Sequence, residues 1–301
     1  MDIGKIGLWF FFEGMSAPES AEFAKKIEKL GYSTLWIPEA VGREPFAHAA
    51  YLLANTSQLI LATGIANIWA RDAITMSAAS KTLAELSGGR FLLGIGVSHK
   101  PLVSNLRGHN YDKPYSFMKE YLPKMKGALY MAPKPKEDVP VVLAALHPKM
   151  LELSATQTNG THTYFVPPEH TAKVRAQIGP KPWICVEQAV ILESDATKAR
   201  NAARAYMKTY VPRLPNYTNN LKALGWADSE FENGCSDRLV DAIVVWGSET
   251  RIRERIDAHL KAGATQVCVQ PLRADGAALP DLRAVEAFAP GSSGGRSAAA
   301  R

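Results

Sequence analysis

Strand-forming runs alternate with helical runs along almost the whole of this chain, and no other feature constrains its folding as strongly. Strands separated by helices cannot pair as hairpins, so they line up in parallel with the helices as crossovers. The clearest unit is Leu59 to His99, LILATGIANIWARDAITMSAASKTLAELSGGRFLLGIGVSH. Leu59 to Ile65 reads as a strand in which Gly64 interrupts pairing or lets a ligand approach the backbone. A helix follows, with Ile74, Met76, Ala79, Leu83 and Leu86 read as one apolar stripe and Gly88-Gly89 as its stop. The second strand, Phe91 to Ile95, opens into Gly96-Val97-Ser98-His99. An imidazole thus stands where a parallel strand leaves its sheet, the edge at which functional groups gather.

The same alternation extends to both sides. Ile6 to Phe12 is a strand, and Ser16 with Glu19 forms a capping box for a helix that carries Pro18 in its first turn and ends at Gly31. Strand Thr34 to Pro38 leads to Glu39, and a helix spans Pro45 to Asn55. Helix Lys113 to Met131, kinked at Pro123, precedes strand Val139 to Ala144, helix Pro148 to Thr158 and strand Thr161 to Val166. Strand Trp183 to Leu192 is followed by a long, mostly helical excursion, Asp195 to Val240, containing Pro212-Arg213-Leu214-Pro215-Asn216-Tyr217. Excursions of that length are more often functional than idle, and this one is placed to serve as a binding lid. Helix Ser248 to Ala262 and strand Gln266 to Gln270 complete eight strands. With 301 residues and 47% hydrophobic content, the pattern predicts an α/β fold, a (β/α)8 TIM barrel over residues 1–289 as one domain, with an insertion at about 195–240 after strand 7. The small, polar segment 290–301 reads as a disordered tail.

Composition narrows the function classes. The formal charge of +6 comes from dispersed Lys and Arg, which fits solubility and a polyanionic cofactor better than nucleic-acid binding. Three cysteines, Cys185, Cys235 and Cys268, are odd in number and far apart, so no disulfide framework or CxxC site is expected. No apolar run reaches the ~20 residues of a membrane helix, and the first apolar run is too short and aromatic for a signal peptide. A cytoplasmic enzyme acting on a small-molecule substrate is expected.

Three constellations carry chemistry. At Gly64-Ile65 a bulge or strained peptide would push backbone toward the barrel mouth, although a plain strand-end glycine reads equally well. At Ser98-His99 the imidazole could give or take a proton near neutral pH. At Ala144-Ala145-Leu146-His147-Pro148-Lys149 a strand runs into a helix N-terminus, whose free amides at Leu146, His147 and Lys149 offer a generic phosphate site. Glu39, and Glu187 with Gln188, are further polar groups near strand exits; a buried structural carboxylate is the default for Glu187. Trp9, Phe11, Trp36, Trp69 and Trp246 could wall an aromatic pocket or simply pack. His48, His109, His170 and His259 read as surface residues and His162 as a strand residue, with no HExxH-like metal spacing. Gly96-Val97-Ser98 starts like a hydrolase nucleophile elbow, but Lys100 occupies the position where that turn needs glycine.

The order GLWFFF, LGYSTLWIPEA, ATGIANIWARD and LAELSGGRFLLGIGVSH, with the late GSETRIRERIDAHLKAGATQVCV, resembles the bacterial-luciferase-like oxidoreductase family, TIM barrels that use FMN or the deazaflavin coenzyme F420. That resemblance implies a ring lying across the barrel mouth, a non-prolyl cis peptide at Gly64-Ile65 backing it, and phosphate at the exit of the fifth strand. The implied cofactor-binding residues are Gly64, Ile65, Asn67, Val97, Ser98, Ala145, Leu146, His147 and Lys149. LRGHNYDKPYSFMKEYL, VVLAALHPKMLELSA and THTYFVPPEHT are most similar to F420-dependent members. The implied reaction is hydride transfer between the deazaflavin C5 and a small organic substrate, with His99 as acid/base and Glu39 or Glu187 orienting it. The alternatives are an FMN-dependent monooxygenase and a non-catalytic flavin or deazaflavin binder. The chain departs from F420-dependent relatives in having His99 where a carboxylate stands, Ala40 where histidine is common, and His147 where the phosphate turn tends to have glycine. Apolar helices such as Ile74 to Leu86 could equally serve a homodimer.

Overall fold

The computed structural model describes residues 1–291; most of the tail read as disordered lies outside the described residues. Among them the strands are β1 (Ile6–Trp9), β2 (Thr34–Ile37), β3 (Ile60–Thr63), β4 (Ala66–Asn67), β5 (Phe91–Gly96), β6 (Val141–Ala144), β7 (Gly160–Thr163), β8 (Trp183–Ile191), β9 (Val245–Trp246) and β10 (Gln266–Leu272). The helices are α1 (Ala17–Lys29), α2 (Pro45–Ala54), α3 (Ala73–Leu86), α4 (Pro114–Lys126), α5 (Pro148–Gln157), α6 (Pro168–Ile178), α7 (Ala196–Met207), α8 (Pro215–Lys222), α9 (Asp237–Ile243), α10 (Glu249–Lys261) and α11 (Leu282–Ala287). Every strand pairing is parallel, and β10 pairs with both β8 and β1, which closes the sheet into the (β/α)8 barrel. The short β4 and β9 are appended to β5 and β8.

The barrel wall follows from period-two patterning. Leu35, Leu61, Phe91, Leu93 and Leu143 pack outward in the core shared with the helices. Alternate residues Trp36, Ala62, Leu92, Val142, Cys185 and Cys268 form a separate interior cluster. Inside, the Trp36 indole N–H donates to Gln266 Oε1 at 2.8 Å, so these two buried polar groups satisfy each other. Gly94 is obligatory there because a Cβ would lie 2.0 Å from the Thr63 carbonyl oxygen.

Local signals act as read. Ser16 and Glu19 form the capping box of α1, and Gly88 and Gly89, both with positive φ, end the α3 region. Several strands, however, are shorter than their apolar runs. β1 stops at Trp9 and β7 at Thr163, and the residues after them leave the barrel to form its mouth. At the second exit Phe165 takes φ +55°, which turns the chain out of the ladder. Helix α4 ends at Lys126, not Met131, although it passes through Pro123.

Two readings of burial are corrected. On α3, Met76 and Leu83 are buried, but Ile74 is 61% and Leu86 69% exposed. At ~100° per residue Ile74 falls nearly opposite Met76, so the five residues are not one stripe. His109 is exposed as expected, whereas His48, His170 and His259 are buried because each finds a partner brought in by the fold. Arg43 Nη1 lies 3.3 Å from His48 Nε2, His170 Nε2 donates to the Leu146 carbonyl, and His259 bridges Thr171 and Gln188. Among the described residues no helix is long and apolar enough to cross a membrane.

Candidate active site

The C-terminal ends of the strands surround a cavity of about 670 Å³. β3 supplies its floor, since the Gly64-Ile65 peptide after it is cis, and both residues line the cavity. A Cβ on Gly64 would lie 2.6 Å from Trp9 Nε1 and 3.3 Å from His162 Nε2, so glycine is required where these two rings meet the floor. The His162 ring stacks on Trp36 at 4.6 Å, and its Nδ1–H donates to the Cys185 carbonyl at 3.0 Å. That leaves Nε2 as an acceptor. Neither Nε2 nor the Trp9 indole N–H has a hydrogen-bond partner, although both are buried. Burial pushes the His162 imidazole down to about 4, so it is neutral.

β5 delivers the next wall. Val97, Ser98 and His99 all line the cavity, with Ser98 at φ +53° turning the chain outward. Among the described residues no histidine bonds the Ser98 hydroxyl, so no hydrolase nucleophile is assembled. The His99 Nε2 lies 3.2 Å from the Tyr217 hydroxyl. Desolvation alone lowers the His99 pKa to about 4, so in this cavity the ring is neutral at physiological pH and does not titrate near 7 as its type would.

β6 and α5 form the adjoining side. Ala145, Leu146, His147 and Lys149 line the cavity as read from the sequence. His147 is the N-cap residue of α5 but offers no side-chain cap, because its Nε2–H donates to the Asn216 carbonyl at 3.0 Å. The amide of Ala145 is taken by the His162 carbonyl. The amides of Lys149 and Met150, in the first turn of α5, have no intrahelical acceptor and lie with exposed Lys149 at the rim.

Glu39 lines the cavity too, but its carboxylate is committed elsewhere. Arg71 donates to both of its oxygens, at 2.7 and 3.1 Å, and the Asn67 amide donates to Oε2 at 2.7 Å. Glu39 and Arg71 side chains are only 6% and 12% exposed. Asn67 stands behind the floor rather than in the lining, with its Oδ1 accepting from the Trp69 amide. Glu187 is also outside the lining. It is buried beside Tyr206, 3.5 Å away, and burial pushes its carboxyl up to about 8, so it is largely protonated at neutral pH. Gln188 is likewise buried, donating to the Ile243 carbonyl.

Of the aromatic residues, Trp9 and Phe11 wall the cavity. Trp36 is interior, Trp69 stacks on Phe117, and Trp246 lies under Arg200 and Arg251. Sequence reasoning did not single out Tyr164, Tyr210 or Tyr217, which complete the wall. The signal for Tyr217 was present in the insertion, where Pro215 opens α8 at the first helical position.

A closed parallel barrel with its cavity at the strand C-termini defines the class as a TIM barrel with an enzyme-type site at its strand exits. Residues 5–266 match the model of the luciferase-like monooxygenase family, and the chain belongs to that family. It is 25% identical over 289 residues to a 5,10-methylenetetrahydromethanopterin reductase of Methanolobus tindarius, covering 82% of this chain and 88% of the relative. An F420-dependent secondary alcohol dehydrogenase in complex with an F420-acetone adduct has a similar fold, with TM-score 0.77 and 15% identity over 94% of this chain and 96% of that one. So does a type II Baeyer-Villiger monooxygenase constituent from the CAM plasmid of Pseudomonas putida in complex with FMN, with TM-score 0.63 and 16% identity over 90% and 92% of the two chains.

Proposed function

We propose that this chain is an F420-dependent oxidoreductase acting on a small organic substrate. The observation that carries the reading is the cavity floor at Gly64, where a Cβ would lie 2.6 Å from Trp9 Nε1 and bare backbone leaves room for a planar ring. The fit extends across the mouth. Trp9 and Phe11 offer apolar walls, and the free first-turn amides of α5 with Lys149 suit a phosphate group. The chemistry that a bound deazaflavin supplies is hydride transfer at its C5. His99, at the rim of the same cavity, holds the polar atom of the substrate through one ring nitrogen. The α8 segment of the insertion covers the cavity and keeps water from it. Glu39 positions the floor through Arg71 and Asn67 rather than meeting substrate.

A putative coenzyme F420-dependent oxidoreductase of Mycobacterium tuberculosis, 24% identical over 327 residues that cover 88% of this chain and 94% of the relative, supports deazaflavin, and the FMN-bound neighbour keeps monooxygenation as the second reading. Titrating the protein separately with F420 and FMN, following deazaflavin fluorescence and flavin absorbance, decides between them. Tight F420 binding with turnover on a panel of alcohols, aldehydes and reduced pterins is expected. Tight FMN binding with no affinity for F420 would overturn the proposal, and F420 binding without turnover on any panel member would favour a binding protein.

A further inference from the structure

We infer that Tyr217, carried by the insertion, is a positioning residue that fixes the tautomer of His99, so that this ring faces the substrate as a neutral Nδ1–H donor. The inference rests on the proposed oxidoreductase reading for its use, but its structural core does not. The Tyr217 hydroxyl is buried and lies 3.2 Å from His99 Nε2. Among the described residues it has no other hydrogen-bond partner, and burial raises its pKa, so the phenol keeps its proton. A buried O–H with one available acceptor donates to it, because leaving the donor unmade is costly. His99 Nε2 is therefore the acceptor. Since burial also keeps the imidazole neutral, its single proton sits on Nδ1. Tyr111, Tyr115, Tyr164, Tyr210, Glu39, His147 and Lys149 also line the cavity; Tyr111 donates its hydroxyl to the Ser98 carbonyl, and among the described residues none of these groups bonds His99 Nδ1.

The preceding residue sets the other histidine in the opposite sense. The Asn216 carbonyl can only accept, so His147 carries its proton on Nε2. Two consecutive residues of α8 thus assign the proton positions of two histidines at neighbouring strand exits of the cavity. A neutral imidazole N–H is an effective hydrogen-bond donor to a carbonyl oxygen that gains negative charge as hydride arrives at its carbon. The ring holds that oxygen without giving up its Nδ1 proton, hydride having come from the reduced deazaflavin, and the proton that completes the alcohol comes from solvent as product leaves. The substrate class that fits is one whose reacting carbon bears an oxygen, a ketone or aldehyde or the corresponding alcohol.

The test begins with the ligand-free full chain. Long-range proton–nitrogen correlation spectra of the 15N-labelled protein report each histidine tautomer, and His99→Gln identifies the His99 signals. A neutral ring with its proton on Nδ1, persisting from about pH 8 down to about pH 5, is expected. A proton on Nε2, or a charged ring near neutral pH, overturns the inference. In Tyr217→Phe the tautomer should shift or become mixed, and kcat should fall about tenfold, the effect of one hydrogen bond, while F420 affinity measured by fluorescence changes less than about twofold. Unchanged tautomer and kcat in that variant would also overturn it. Failure of the parent protein to bind F420 would instead remove the cofactor reading and leave the tautomer result standing.

Discussion

Glu39 shows how a residue can be in the right place for one task and bonded for another. Its position at the β2 exit invited a catalytic reading, yet both oxygens are engaged by Arg71, with a third donor in the Asn67 amide. Glu39→Gln should leave the Arg71 guanidinium partly unpaired and lower stability by about 1–3 kcal/mol, softened by the remaining Arg71–Glu44 contact at 2.9 Å. Denaturant unfolding checks this. A catalytic role would show the reverse, a loss of turnover of about a hundredfold or more with stability unchanged. His99 differs, since among the described residues its side chain hydrogen-bonds with Tyr217 alone.

At the scale of elements, α5 carries the most exposed expectation. Replacing Lys149 by Ala should weaken binding of a phosphate-bearing cofactor by about three- to tenfold, with the difference shrinking at high salt because the lysine is exposed. Titrations at two ionic strengths would show it, and an unchanged affinity at low salt would remove Lys149 from the site. Elements were the most legible part of the sequence. The βα alternation, the Ser16 capping box and the glycine stops depend on neighbours a few residues away, so they survive in one dimension. Both βα junctions read as site-forming line the cavity, through 97–99 and 144–149. What was not legible depends on partners far along the chain. His170 is buried because the Leu146 carbonyl accepts from it, and His259 because Gln188 lies on the facing strand. Tyr217 lies 118 residues from His99, and only the closed barrel brings the two together.

For the molecule as a whole, buried titratable groups set an optimum. His48, His99, His162 and His170 are held down to about 4 and His259 to about 3, all by burial first. Below their usual value of 6.5 the unfolded rings take protons that the folded ones refuse, so stability is lost as pH falls from about 6.5 toward 4. Glu187 acts in the opposite sense. Its folded carboxyl is raised from 4.5 to about 8, so the stability of its neutral form is lost as pH rises between those values. Five rings outweigh one carboxyl where the windows overlap. Calorimetry should therefore find the highest Tm near pH 6.5, with a steep acid limb and a shallow alkaline one that Glu187→Gln flattens. A Tm that rises steadily from pH 6.5 to 8 would contradict the assignment of Glu187.

The seam of the barrel has a consequence of a different kind, for the order of assembly. β1 is made first, yet one of its two neighbours is β10, about 260 residues later in the pairing Ile6 with Val267. During synthesis the growing sheet therefore carries an unsatisfied β1 edge until nearly the whole chain has left the ribosome. Such distant pairing slows folding, and the waiting edge can pair with another chain instead. A fragment ending before Gln266 would keep open edges on both β1 and β8, and self-association of that fragment is the expected cost of closing a barrel with its last strand.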